Sequence, residues 1–104
     1  MGITISVLYP NDDGSRFDME YYLQKHIPLV NERWSGMGMS EVRAVKSVGT
    51  ADPNIPAPFQ VVALLRFDSL EAFQAAAGEH GEEIIGDIAN FTDVSPILQI
   101  NEDL

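Results

Sequence analysis

The chain has no cysteine. That absence removes disulfides, thiolate nucleophiles and cysteine-ligated zinc or iron-sulfur sites, and it points to a reducing compartment. Basic residues are scarce as well. Six Lys and Arg stand against sixteen Asp and Glu, a net charge of -10, which works against binding nucleic acid or an anionic membrane surface. The longest apolar run, Val61 to Leu65, falls far short of the roughly 20 residues a bilayer requires. Nothing reads as a signal peptide, so a cytoplasmic protein is expected. Histidine is the remaining rarity. His26 and His80 are the only two, and theirs are the side chains whose ordinary pKa lies near neutrality.

A chain of 104 residues is read as one domain, residues 1–104, with one modest core that buries roughly 60 to 70% of the unfolded surface. Ile3, Ile5, Val7 and Tyr9 alternate with Thr4, Ser6 and Leu8, the period of a strand, and Pro10-Asn11-Asp12-Asp13-Gly14 ends it in a turn. From Asp18, a suitable N-cap, Met19, Tyr22, Leu23, His26, Ile27, Val30 and Trp34 follow at helical spacing. Pro28 lacks the amide hydrogen that would reach the Gln24 carbonyl, so a kink or restart is predicted beside His26, with Gly36-Met37-Gly38 stopping the helix.

Residues 40–50 read as a second strand, residues 51–58 as a proline-rich loop, and residues 59–67 as a strand apolar on both sides and therefore central. Asp68-Ser69-Leu70-Glu71 has the form of a capping box with Asp68 as cap, opening a helix through Leu70, Phe73, Ala76 and Ala77. Gly78 and Gly81 weaken that helix, and a separate short helix or turn is expected over residues 82–90. Residues 94–100 close the chain as a strand, with Pro96 marking an edge or a bulge. The order is βαββαβ: an α+β, ferredoxin-like fold, a four-stranded antiparallel sheet with both helices on one face. The apolar second side of the central strand predicts a covered sheet face. A homodimer by sheet-to-sheet packing is expected; the alternative folds the proline-rich loop across that face.

Two short patterns, Met1-Gly2-Ile3-Thr4-Ile5-Ser6 for myristoylation and Asn90-Phe91-Thr92 for glycosylation, are read as accidental. More telling are Tyr9-Pro10, Asp18-Met19-Glu20-Tyr21-Tyr22, His26-Ile27-Pro28-Leu29-Val30, Phe67-Asp68-Ser69, His80-Gly81 and Asp87-Ile88-Ala89-Asn90-Phe91-Thr92. Over nearly its whole length the sequence resembles the EthD family, named for ethyl tert-butyl ether degradation. The resemblance implies a dimeric α+β barrel, in which two ferredoxin-like protomers join their sheets. Related barrels include cofactor-independent monooxygenases, isomerases, polyketide cyclases and haem enzymes, so the resemblance implies small-molecule catabolism or secondary metabolism without one reaction. Ala89 stands where the family pattern has proline.

His26 and Tyr22, one turn apart, form a pair able to exchange a proton with a small carbonyl or phenolic substrate. The structural alternative makes His26 a core donor to the freed Gln24 carbonyl and Tyr22 ordinary packing. His80, after the small run Ala75-Ala76-Ala77, is read either as an acid or oxyanion partner of His26 or as a residue favoured by a helix C-terminus. Were both histidines to line one cavity, Tyr9, Trp34 and Phe91 would shape an apolar pocket. Asp87 and Asn90 are candidate ligand contacts or turn-formers bonded to nearby backbone. Metal-ligand spacing is absent. No cofactor is expected, although either histidine could serve as axial ligand to a haem. Two functions of different class remain: an enzyme doing acid-base, oxygenase, isomerase or cyclase chemistry on a hydrophobic ligand, or a non-catalytic module assisting an oxidase. A core packed solid around Tyr22, His26 and His80 favours the module, and a cavity of a few hundred cubic ångströms opening near them favours the enzyme.

Overall fold

The computed structural model describes residues 2–104, so Met1 of the amino-terminal pattern lies outside it. Strand β1 (Ile3–Pro10) leads to a helical segment in three parts: α1 (Met19–Tyr21), a π-helical turn (Tyr22–His26) and α2 (Ile27–Trp34). A 3-10 turn (Ser35–Met37), β2 (Met39–Lys46) and β3 (Phe59–Phe67) follow, then α3 (Leu70–Asp87), a second 3-10 turn (Ile88–Asn90) and β4 (Ile97–Glu102). The strands form one antiparallel sheet in the order β2-β3-β1-β4, the ferredoxin-like arrangement expected from the βαββαβ order.

Strand β3 is central, between β2 and β1. Its Val61, Ala63, Leu65 and Phe67 are buried under the helices together with Ile5 and Tyr9 of β1. Trp34, Phe67 and Phe73 meet edge to face, with centroids 5.7, 6.3 and 5.3 Å apart, and lock α2 to α3 over one end of the sheet. The Trp34 indole N–H donates to the Ala76 carbonyl at 2.9 Å, so the one buried polar atom of this corner is satisfied.

On the opposite side, cross-strand pairing aligns Val45, Val62, Leu8 and Ile97 in a single apolar row across all four strands. Val45 and Ile97 are exposed in this row. Val48 and Ile55 of the connecting loop are exposed too, so that loop does not seal the face. Strand β4 lies at the sheet edge, and Leu98 and Ile100, though turned to the helix side, remain exposed because no helix reaches over them.

Several boundaries depart from the sequence reading. Ser69, not Asp68, caps α3, its hydroxyl accepting from the Ala72 amide at 3.1 Å. Helix α3 runs unbroken for 18 residues through Gly78 and Gly81, taking in residues 82–87 of the expected short helix and leaving only the 3-10 turn Ile88–Asn90 beyond it. Each glycine costs about 1 kcal/mol in a helix interior, but Phe73, Ala76 and Ile84 bury one face of α3 on both sides of them. Strand β2 stops at Lys46, and β4 begins at Ile97, after Pro96; Val94 is core instead.

Gly38 ends the first helical layer at φ 96°. A Cβ there would stand 2.9 Å from Ala72 Cβ, whereas one at Gly36 meets nothing within 4 Å. Gly38→Ala should therefore lower unfolding stability by about 2 kcal/mol, and Gly36→Ala by no more than about 0.5 kcal/mol; urea unfolding of the two variants measures the difference.

Candidate functional site

The first helix starts where Asp18 accepts the Tyr21 amide at 3.1 Å. It cannot continue as a regular α-helix, because Pro28 donates nothing. The chain inserts one wider turn: the Ile27 amide bonds the Tyr22 carbonyl, five residues back, and Pro28 falls in the first turn of α2, where its missing N–H is tolerated. The predicted disturbance beside His26 is thus a π turn with Tyr22 as its first residue and His26 as its last. Both are buried.

Backbone pairing between the two ends of the helical layer brings a distant carboxylate to this turn. Phe17 and Thr92 form an isolated antiparallel bridge, the Asp18 amide donates to the Phe91 carbonyl at 2.7 Å, and the Thr92 hydroxyl donates to the Arg16 carbonyl at 2.6 Å. Asp87, the last residue of α3, then lies beside the π turn. Its Oδ2 is 2.9 Å from His26 Nδ1, and its Oδ1 accepts from the Tyr21 hydroxyl at 2.7 Å and from the Asn90 amide at 2.9 Å.

A carboxylate at a helix C-terminus opposes the helix dipole. Desolvation also pushes the Asp87 carboxyl up, yet hydrogen bonds from Tyr21, Asn90 and His26 together outweigh it and hold the group below the usual carboxylate range. For His26 the balance tips the other way. Burial lowers its pKa, and the Asp87 hydrogen bond and charge only partly offset that. The pair at neutral pH is therefore carboxylate and neutral imidazole. A carboxylate can only accept, so Nδ1 carries the imidazole proton and Nε2 is the free base. Among the described residues Nε2 makes no hydrogen bond.

The Tyr22 ring lies nearly parallel to His26, with centroids 5.8 Å apart and 17° between planes. Tyr9, Phe17 and Phe91 pack around Tyr22 at 5.9, 5.1 and 5.1 Å. Burial pushes the Tyr22 phenol up to about 12 and raises that of Tyr9 as well. The Tyr22 hydroxyl is buried and has no hydrogen-bond partner.

A cavity of about 660 Å³ opens between the helices and the sheet. Tyr9, Tyr22, His26 and Trp34 line it, with Val7 and Phe73 among its apolar walls and Arg16, Asp93 and Ser95 among its polar ones. Of the sequence candidates, these four converge. Asp87 and Asn90 stand behind His26 rather than on the cavity wall, and they bond side chains, not nearby backbone. Phe91 is fully buried against the His26 ring at 4.7 Å and lines nothing. His80 does not join His26. It sits mid-helix on α3, half-buried, with Nδ1 4.0 Å from Glu83, because the helix does not fray at Gly81 and so never turns His80 toward the cavity. Tyr21, the residue the sequence reading passed over, bonds a partner 66 positions away; the Tyr21-Tyr22 doublet was its only local signal. No cluster of three or more His, Asp or Glu able to hold a metal occurs among the described residues, and no helix among them is long and apolar enough to cross a membrane.

The pair makes stability pH-dependent. His26 binds a proton less readily folded than unfolded, so stability falls as pH drops below about 6.5, the unfolded value, toward the folded pKa. Asp87, depressed in the fold, contributes stability above its unfolded value of about 3.9, and loses it as pH falls further. Urea unfolding should give a lower free energy at pH 5.5 than at pH 7.5, and NMR titration should find His26 below about 6.5; a His26 midpoint above that value would refute the neutral pair.

Comparison with known proteins places these residues in a shared frame. The chain matches the family model described as EthD domain over residues 15–95, a span that holds Tyr21, Tyr22, His26, Asp87 and Asn90. It is similar to the crystal structure of an EthD-like protein from Ralstonia eutropha JMP134, at 40% identity over 97% of this chain and 90% of that one, with a TM-score of 0.90. An ethyl tert-butyl ether (EthD) family protein from Bacillus halodurans C-125 is 19% identical over all of both chains, with a TM-score of 0.70. A putative monooxygenase from Shewanella loihica PV-4 shares the fold at 12% identity, covering 99% of this chain and 94% of that one, with a TM-score of 0.65. No curated protein matches. With its family model spanning most of the chain and a near relative covering almost all of it, the protein belongs to the EthD family.

Proposed function

We propose that this EthD family protein admits a hydrophobic small molecule into the cavity between helices and sheet and exchanges protons with it there, using its own side chains and no resident cofactor. His26 is the base and Asp87 its positioning partner. One observation carries the reading: the His26 imidazole on the wall of a 660 Å³ cavity, with Nδ1 2.9 Å from the Asp87 carboxylate and Nε2 without a partner. A cavity of that size suits a drug-sized ligand, and its walls are largely apolar side chains from both layers. Tyr22, protonated and unpartnered, supports the same site.

The putative monooxygenase among the structural neighbours and the ether in the family's name fit small-molecule work of this kind. The imidazole and the apolar walls favour proton transfer as this chain's contribution. We further propose that the open sheet face pairs with a second copy through the Val45, Val62, Leu8 and Ile97 row.

Deuterium exchange at the α-carbon of apolar ketones, followed by NMR, tests the catalytic reading. His26→Ala should slow exchange by about 100-fold or more, with an Asp87→Asn variant also impaired. Exchange equal to that of His26→Ala in the unaltered protein, with ligand still bound, would make it a non-catalytic module. A Soret band in the purified protein would instead put a haem against a histidine; none is expected. On gel filtration the protein should elute at twice its chain mass, and Val45→Glu with Ile97→Glu, both at exposed positions, should halve that.

A further inference from the structure

The ligand's chemical class can be read from the hydrogen-bond demands of the cavity wall. Tyr22 is 1% exposed and packed among Phe17, Phe91 and Tyr9, where a phenylalanine ring would fill the same space. Its hydroxyl serves no packing purpose, and it is the one fully buried side-chain polar atom without a partner among the described residues. A buried, unpaired donor destabilises the fold unless something meets it, and the group it belongs to lines the cavity. High pKa keeps that phenol protonated, so what it seeks is an acceptor. His26, on a near-parallel ring 5.8 Å away, has the opposite demand. Its Nε2 holds a lone pair, and what it seeks is a hydrogen.

We infer that the ligand is an apolar molecule bearing a phenolic or enolic hydroxyl, or the ketone that yields the enol, with its oxygen at the Tyr22 hydroxyl and its acidic hydrogen at His26 Nε2. This rests on the proton-exchange reading and narrows it. A carboxylate offers acceptors only, so it leaves Nε2 unmet even though Arg16 on the same cavity wall would favour its charge. An alkylammonium ion offers donors only. An ether, the group in the family's name, accepts from Tyr22 but leaves Nε2 unmet. A hydroxyl answers both demands at one atom, and an enolisable ketone answers them at its carbonyl oxygen and its α-carbon.

The transfer balances without a redox partner. The ligand's proton moves to Nε2, the imidazolium keeps its Nδ1–H on the Asp87 carboxylate, and the ligand oxygen, now negative, accepts from Tyr22. Return of the proton to that oxygen, or to the α-carbon of an enolate, restores neutral imidazole.

Calorimetry on the full chain with naphthol, its methyl ether, methylnaphthalene and naphthoate provides the test, with His26 and Tyr22 side-chain NMR signals followed in parallel. Naphthol should bind about five- to tenfold more tightly than the ether and the hydrocarbon, and more tightly than naphthoate. Tyr22→Phe, whose fold circular dichroism would check, should weaken naphthol and the ether alike while leaving methylnaphthalene within about twofold, and His26→Ala should abolish the preference for naphthol over the ether. Equal affinities for naphthol and the ether, or a naphthol affinity unchanged in Tyr22→Phe, would overturn the ligand class; if His26 signals still move on binding, the base reading stands without it. Binding that leaves both His26 and Tyr22 signals unmoved would overturn both.

Discussion

The Asp87 carboxylate ties the end of α3 to both sides of a π turn, and the rest of the site depends on that tie. Through Oδ1 it holds Tyr21, immediately before the turn, and through Oδ2 it holds His26, the turn's last residue. One side chain therefore joins the two halves of the helical layer, sets the imidazole's tautomer and fixes its ring. Neither helix alone could do this. The π turn exists because Pro28 withholds an amide hydrogen, and the carboxylate sits at an electrostatically poor helix end because three donors converge on it.

The cavity follows from where the helical layer is fastened. At one corner Trp34, Phe67 and Phe73 interlock and the indole bonds the Ala76 carbonyl; at the other, the Asp87 network and the aromatic cluster around Tyr22 close the layer down. Between them the sheet floor presents small side chains such as Ala63, and the helices do not extend over β4. Space persists because filling it would require moving elements already pinned at both ends. Among the polar groups on its wall are the His26 imidazole, with a free ring nitrogen, and the unpaired Tyr22 phenol, opposite in hydrogen-bond character.

Much of the fold could be read from spacing. The alternation in Ile3 to Tyr9, the two-sided apolar strand over residues 59–67 and the helical stripe from Met19 to Trp34 led to the observed order and sheet, because periodicity reports burial directly. The disturbance at His26 was legible from Pro28 alone. Helix α3 was misjudged at Gly78 and Gly81, since local propensity says nothing of how firmly Phe73, Ala76 and Ile84 grip the core. That error also misplaced His80, which a frayed helix would have freed and an intact one keeps beside Glu83.

What the sequence determined by itself was the set of elements, the weak point in the first helix, and the exclusion of thiol chemistry. It also singled out His26 and Tyr22, because a proline and a helical repeat act over a few residues. Only the tertiary structure decided what those residues meet. Asp87 reaches His26 from 61 positions away and Tyr21 from 66, and no local pattern encodes a hydrogen bond across that distance. The same long-range pairing holds the Asp87 pKa down, partly offsets the burial that lowers that of His26, leaves Nε2 free, and turns a rare histidine into an oriented imidazole.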